Sequence, residues 1–154
     1  MSDQLRNNTD GKSQEVNKQK GTAYEYRFFS NILDRGYQLF IPAGDALPVD
    51  CVVQNGAGKF FKVQIKGTAC PETSNRVMPR YKVLAGSGKK SKKMSIDCAK
   101  VDILAAYVDP VDAWYIIPCL ELNGKLSTWF YPHSERSTAR FEKFRENWGL
   151  FKTV

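Results

Sequence analysis

The stretch Pro48-Val-Asp50-Cys-Val-Val-Gln54-Asn-Gly-Ala-Gly58-Lys-Phe-Phe-Lys-Val-Gln64-Ile-Lys66 decides how this chain folds. Asn55-Gly-Ala-Gly58 has the composition of a tight turn, because glycine enters left-handed backbone without penalty and asparagine tolerates it. On either side of it the residues alternate. In a strand over 49–54, Val49, Cys51 and Val53 share one face and Asp50 points the other way. In a strand over 59–66, Phe61, Val63 and Ile65 form the apolar face, and Lys62, Gln64 and Lys66 line the opposite one. The whole therefore reads as a β-hairpin. Its pairing brings Asp50 and Gln64 to the same end of neighbouring strands, with Lys66 beside Gln64.

Upstream, Tyr24, Phe28 and Ile32 recur at helical spacing, and Phe29 and Leu33 widen the stripe. The spacing predicts a helix over 22–35, stopped by Gly36 as a C′ residue. Glu25 lies one turn before Phe28 and Phe29, so it points towards the packed face, where a carboxylate needs a cation, a lysine or a metal as partner. Tyr37–Ile41 reads as a short strand ended by Pro42. Downstream, residues 78–84, 101–108, 114–118 and 126–131 read as strands, and 67–77 as irregular. Ser137–Trp148 reads as an amphipathic terminal helix with Phe141, Phe144 and Trp148 on one face. The order helix, strands, helix implies an α/β sandwich around a mixed sheet. Residues 1–19 are polar and are expected to be disordered or a loosely attached helical extension, leaving 20–154 as a single domain.

Composition narrows the function classes. No apolar run approaches the ~20 residues of a membrane span, and the opening Met-Ser-Asp-Gln-Leu-Arg-Asn-Asn lacks the apolar core of a secretory signal. The four cysteines, Cys51, Cys70, Cys98 and Cys119, form no Cys-x-x-Cys pair. They are expected to be free, reduced thiols in a cytoplasmic protein. His133, the single histidine, cannot supply a zinc cluster and reads as an exposed loop residue. Trp114, Trp129 and Trp148 read as core aromatics.

The chain carries a net charge of +7, and the segment 76–100 accounts for all of it: eight basic residues, with Asp97 the only acid. Such a localised excess is the footprint of a polyanion binder, although lysine-rich loops are often merely solvated. Arg76, Arg80, Lys82, Lys89, Lys90, Lys92 and Lys93 are the candidate DNA contacts. Arg76, Arg80 and Lys82, on or beside a strand, are better placed to read bases than the loop lysines.

A carboxylate ending one strand, with a carbonyl donor and a lysine two apart on the next, suits holding Mg²⁺ and an attacking water beside a phosphodiester. At Glu25, Asp50, Gln64 and Lys66 the chain resembles the PD-(D/E)XK nuclease superfamily, whose restriction-endonuclease-like core is a central mixed β-sheet flanked by helices. Two departures stand out. The proline is offset, as Pro48-Val-Asp50, and Gln64 occupies the second acidic position. Lys20-Gly21 before Glu25 also looks like the opening of archaeal Holliday junction resolvases. The wider series, including Trp114-Tyr-Ile-Ile-Pro118, is most similar to bacterial group I intron homing endonucleases of this fold. The similarity runs over roughly residues 20–150.

The resemblance implies a metal-dependent endodeoxyribonuclease acting on double-stranded DNA, with Mg²⁺ as cofactor and Mn²⁺ as substitute. Asp50 would be the central metal ligand, Gln64 and the Ile65 carbonyl would add oxygens, and Glu25 would bind directly or through water. Lys66 would orient the attacking water. Cutting both strands requires two sites, hence a homodimer or homotetramer. The alternatives are a Holliday junction resolvase, a restriction-type nuclease, or a non-cleaving DNA-binding module, which Gln64 makes credible. Each residue also has a plainer reading: Lys66 as an exposed strand lysine, Gln64 as a solvent-facing amide, Asp50 as a turn residue, and Glu25 as the ion-pair partner of Lys66.

Overall fold

The computed structural model describes residues 2–75, 77–86, 88, 92–134 and 139–154, with side chains from Gly11 onward. One long helix, α1 (Ser2–Asp34), precedes β1 (Gln38–Phe40), β2 (Cys51–Gln54), β3 (Phe60–Thr68), β4 (Pro71–Glu72), β5 (Arg80–Leu84), β6 (Ile103–Val108), β7 (Ala113–Pro118) and β8 (Ser127–Phe130). A mixed five-stranded sheet has the order β1-β2-β3-β6-β7, with β3 and β6 parallel and the other neighbours antiparallel. A second sheet, β4-β5-β8, is antiparallel throughout. This is the α/β architecture expected from the sequence.

The hairpin forms as its alternation demands. Cys51 pairs with Val63 and Val53 with Phe61, so the apolar faces coincide. Gly58 takes φ +80° in the turn, where its N–H donates to the Asn55 carbonyl. Asn55 itself is buried. Its amide donates to the carbonyls of Phe151 and Thr153, both at 2.9 Å, and its carbonyl accepts from the N–H groups of Ala57 and Lys59. One side chain thus ties the turn to the C-terminus.

The strand β6 is buried along its whole length because both faces of the large sheet are covered. Tyr24, Phe28, Phe29 and Ile32 of α1 seal one face over Val63, Ile65, Ala105 and Ile116. Gly36 closes the helix at φ +78°, with Gly36 N–H donating to the Leu33 carbonyl and Tyr37 N–H to that of Ile32. Leu33 departs from the expected stripe and is exposed. The helix begins at Ser2 and not near residue 22, and residues 11–20 of it are exposed almost throughout.

The other face carries the small sheet, whose Tyr81, Val83 and Phe130 pack on Leu104, Ala106 and Tyr115. Here the expected terminal helix is corrected. Among the described residues, the C-terminal segment holds only short 3₁₀ turns, Glu142–Phe144 and Trp148–Lys152. Arg145 is extended and Glu146 takes φ +50°. Glu146 N–H donates to the Trp114 carbonyl, while its carboxylate accepts from Trp114 N–H at 2.7 Å and from Trp148 Nε1 at 2.6 Å. The chain thereby wraps the free edge of β7, sending Phe141 and Phe144 to one face of the sheet and Trp148 and Phe151 to the other.

Two further expectations are overturned. Cys98 and Cys119 form a disulfide, because the turn after β7 returns Cys119 beside the loop that leads into β6. Only Cys51 and Cys70 are free. Trp129 is half-buried on the outer face of the small sheet, unlike Trp114 and Trp148 in the core. Among the described residues, no helix is long and apolar enough to cross a membrane.

Candidate active site

The site lies where β2 stops and β3 continues. Asp50 precedes the first residue of β2, and its N–H still donates to the Val63 carbonyl at 2.9 Å. Beyond that pair β3 runs on to Thr68, so its edge on the β2 side is open. The Ile65 N–H uses this freedom to donate to Asp50 Oδ2 at 2.6 Å. That bond fixes the carboxylate against the strand carrying Gln64 and Lys66. The helix supplies Glu25 from above, one residue after the buried Tyr24.

Glu25, Asp50, Ile65 and Lys66 line one cleft of about 440 Å³. Tyr24, Gly67 and Cys70 also line it, as do Asn17 and Lys20 from the exposed part of α1. Sequence reading set Asn17 outside the domain, because nothing in a polar segment marks which residue will face a cleft formed by distant strands. On the other side of the two carboxylates, a hollow of about 240 Å³ is shared by Glu25 and Asp50 with Asp45 of the preceding loop.

Electrostatics mark the pair. Burial raises the Asp50 pKa above its ordinary value, opposed by the Ile65 N–H and by Lys66. Burial also raises that of Glu25, with the Asp50 charge adding to it and Lys66 opposing. A carboxylate whose ionisation a neighbouring carboxylate disfavours is an arrangement that a cation relieves. Lys66 does not supply that cation by direct pairing. Among the described residues, no carboxylate lies within 4.0 Å of its ammonium group. Lys66 thus acts on Glu25 through its charge and not as a directly bonded ion pair.

Gln64 is 6 % exposed, so it is no solvent-facing amide. Its Oε1 is buried without a hydrogen-bond partner. A buried, orphaned carbonyl oxygen is costly unless something absent from the polypeptide satisfies it. Gln64 follows Val63, whose carbonyl accepts from Asp50 N–H, and a hard oxygen donor of this kind suits a divalent metal ion. The described residues hold no group of three or more His, Cys, Asp or Glu side chains placed to bind a metal.

The backbone beside Lys66 is pressed against the helix. A Cβ on Gly67 would lie 2.3 Å from Tyr24 Cδ2, so only glycine lets β3 pass this close. Tyr24 is in turn held by its hydroxyl donating to Asp109 Oδ2 at 3.2 Å, and by packing on Tyr107. Burial and the Asp109 carboxylate push the Tyr24 pKa up to about 12, so the phenol stays protonated and donating at neutral pH.

Residues 16–146 match the sequence model of the PD-(D/E)XK endonucleases. The chain belongs to the PD-(D/E)XK endonuclease family. Its fold is also that of a solved structure described as a bacterial homing endonuclease, I-Ssp6803I. The TM-score is 0.73 at 22 % identity, over 88 % of this chain and 93 % of the other. No curated protein sequence shows significant similarity. Within this PD-(D/E)XK chain, Glu25, Asp50, Ile65 and Lys66 converge on one cleft, and Gln64 is buried on the same strand. Of the basic candidates, Lys82 joins Lys66 on a second cleft of about 590 Å³. Arg80 is bound to Glu72. Lys92 and Lys93 are exposed, and Arg76, Lys89 and Lys90 lie outside the described residues.

Proposed function

We propose that this PD-(D/E)XK nuclease is a Mg²⁺-dependent, site-specific endonuclease of double-stranded DNA, working as a homodimer or homotetramer and accepting Mn²⁺ in place of Mg²⁺. The observation that carries this reading is the convergence of Glu25, Asp50 and Lys66 on one cleft, with the unsatisfied Gln64 Oε1 on the strand that carries Lys66. Asp50, Gln64, the Ile65 carbonyl and Glu25 would hold the metal. When bound, it supplies Lewis-acid polarisation of the phosphoryl oxygen and an ionisable water.

The remaining work belongs to the chain. Ile65 N–H keeps Asp50 in one orientation. Lys66, with no carboxylate among the described residues within ion-pair distance, is available to orient the attacking water and to stabilise charge that develops on the phosphate oxygens. Gln64 leaves the site with one less negative charge than a third carboxylate would give. Metal affinity in the absence of DNA is accordingly low, and the substrate phosphate supplies the missing anionic oxygen. Two strands need two such sites, which is the ground for a symmetric oligomer. The homing class is the first to test, given the description of the structural neighbour; junction resolution and restriction-type cutting are the others.

Cleavage of supercoiled and genomic-library DNA with Mg²⁺ tests the reading against Asp50→Ala and Lys66→Ala. Cutting by the native protein and its loss in both variants is the expected result. The same cutting by all three proteins refutes the site. The Gln64 amide favours a second reading, a module that binds without cutting. It predicts salt-sensitive DNA binding, no Mg²⁺-dependent cleavage of any substrate, and no effect of Lys66→Ala beyond binding.

A further inference from the structure

The small sheet has an outer face that carries exposed side chains among the described residues. On β5, Tyr81 and Val83 turn inward, while Lys82 and Leu84 are exposed. On β8, Thr128 and Phe130 turn inward, and Trp129 stays half-buried on the outside. Cross-strand register sets Lys82 opposite Trp129. The Arg80 guanidinium lies 3.7 Å from the indole ring centre, and the Lys82 ammonium 5.5 Å from it.

The two cations differ in what they have left to give. Arg80 donates through Nε and Nη2 to the two oxygens of Glu72 at 2.9 and 3.0 Å, and through Nη1 to the Tyr131 hydroxyl at 3.5 Å. Its charge is matched and its plane is fixed on the ring. Lys82 has no described carboxylate within ion-pair distance. It also lines the cleft that contains Lys66, and Lys66 in turn lines the cleft of Glu25 and Asp50. The carboxylates, Lys66 and Lys82 thus follow one another along two adjoining clefts, and the indole stands opposite Lys82 on the next strand. A protein partner with an apolar surface would bury Lys82 unpaired at high cost. A polyanion satisfies Lys82 and covers the ring.

We propose that this face is where the duplex lies beside the scissile phosphate. Lys82 meets a backbone phosphate, Trp129 is the platform that contacts the DNA, and Arg80 is a positioning residue that holds the ring. The proposal rests on reading the Glu25–Asp50–Lys66 cleft as the DNA-cutting site.

The test uses the full chain in EDTA with a short mixed-sequence duplex, so that binding is read without cleavage. Trp114 and Trp148 are 3 % and 7 % exposed, so acrylamide quenching reports mainly Trp129, and Trp129→Phe identifies that component. Saturating duplex is expected to reduce the Trp129 component at least about twofold. Lys82→Ala is expected to lower the slope of log affinity against log salt by about 0.9, the loss of one phosphate contact, while Lys152→Ala at the far end leaves it unchanged. Duplex binding with Trp129 quenching unaltered, or with the full slope kept in Lys82→Ala, overturns the proposal. If the native protein cuts DNA under Mg²⁺ and still shows that result, only this surface is wrong. Failure to bind or cut any duplex would refute the underlying reading of the cleft, and this proposal with it.

Discussion

Gly67→Ala is the sharpest perturbation the fold offers, because one methyl group strikes the wall between helix and sheet at the site itself. The new Cβ would sit 2.3 Å from Tyr24 Cδ2, 2.5 Å from Cε2 and 3.0 Å from Cγ. Carbon atoms in contact prefer about 3.5–4.0 Å, so the ring must retreat by more than roughly 1 Å. Two contacts resist that retreat. Tyr107 backs it with ring centres 5.2 Å apart, and its hydroxyl is tied to Asp109. Overpacking of this kind costs about 1–3 kcal/mol, and loss of the hydroxyl bond adds about 1 kcal/mol. The expected destabilisation is therefore about 3 kcal/mol, read by urea unfolding of both proteins. Tyr24 and Gly67 are the chain neighbours of Glu25 and Lys66, so the displacement also falls on the cleft, and cleavage should drop on the order of 100-fold. A double-mutant cycle isolates the cause. In a Tyr24→Ala background the methyl group meets no ring, and Gly67→Ala should cost less than about 1 kcal/mol. An equal cost in both backgrounds, or a native-like stability for Gly67→Ala, would refute the steric argument.

Three further outcomes are expected. Gln64→Glu should destabilise the metal-free protein by about 1–3 kcal/mol, since it adds a buried charge, and should tighten Mg²⁺ binding on the order of tenfold; an unchanged calorimetric titration would count against Gln64 as a metal ligand. Asp50 has a folded-state pKa raised above its ordinary 3.8, so the stability it lends is present below that value and lost as pH rises through the raised one. Metal-free native protein should thus lose stability relative to Asp50→Asn as pH rises above the ordinary 3.8, and a gap of constant size in EDTA would contradict this. Asn55→Ala removes donors to Phe151 and Thr153 and an acceptor for two turn N–H groups. Its cost should be on the order of 3 kcal/mol by urea unfolding, with C-terminal amides the first to gain hydrogen exchange.

Much of the candidate site was legible because its determinants are local. Alternation in 49–54 and 59–66 decides which side chains share a face, and a turn of Asn55-Gly-Ala-Gly58 decides the pairing, so Asp50, Gln64 and Lys66 follow from the text alone. Glu25 was legible for the same reason, from its phase relative to Tyr24 and Phe28 on a helix. Local reasoning failed where the same apolar spacing admits two outcomes. Phe141, Phe144 and Trp148 fit a helical stripe, yet they divide between opposite faces of the sheet around an extended Arg145 and a left-handed Glu146. The free edge of β7 and the Trp114 N–H that Glu146 accepts are the deciding influences, and neither is near in sequence. Trp129 read as core because an isolated tryptophan in an apolar strand usually is; the small sheet has only one face to bury, and register put this ring on the other.

What the sequence by itself determined is the hairpin, the phase of the helix and the identity of the polar residues each presents, all set by periodicities that span a few residues. What only the tertiary structure decided is their meeting. It brought the open edge of β3 under α1, left Gln64 Oε1 buried without a partner, and paired Cys98 with Cys119. It also turned Lys82 and Trp129 outward along the line that begins at Lys66. Those outcomes depend on which distant surfaces exclude water from one another, and no short-range pattern encodes that choice.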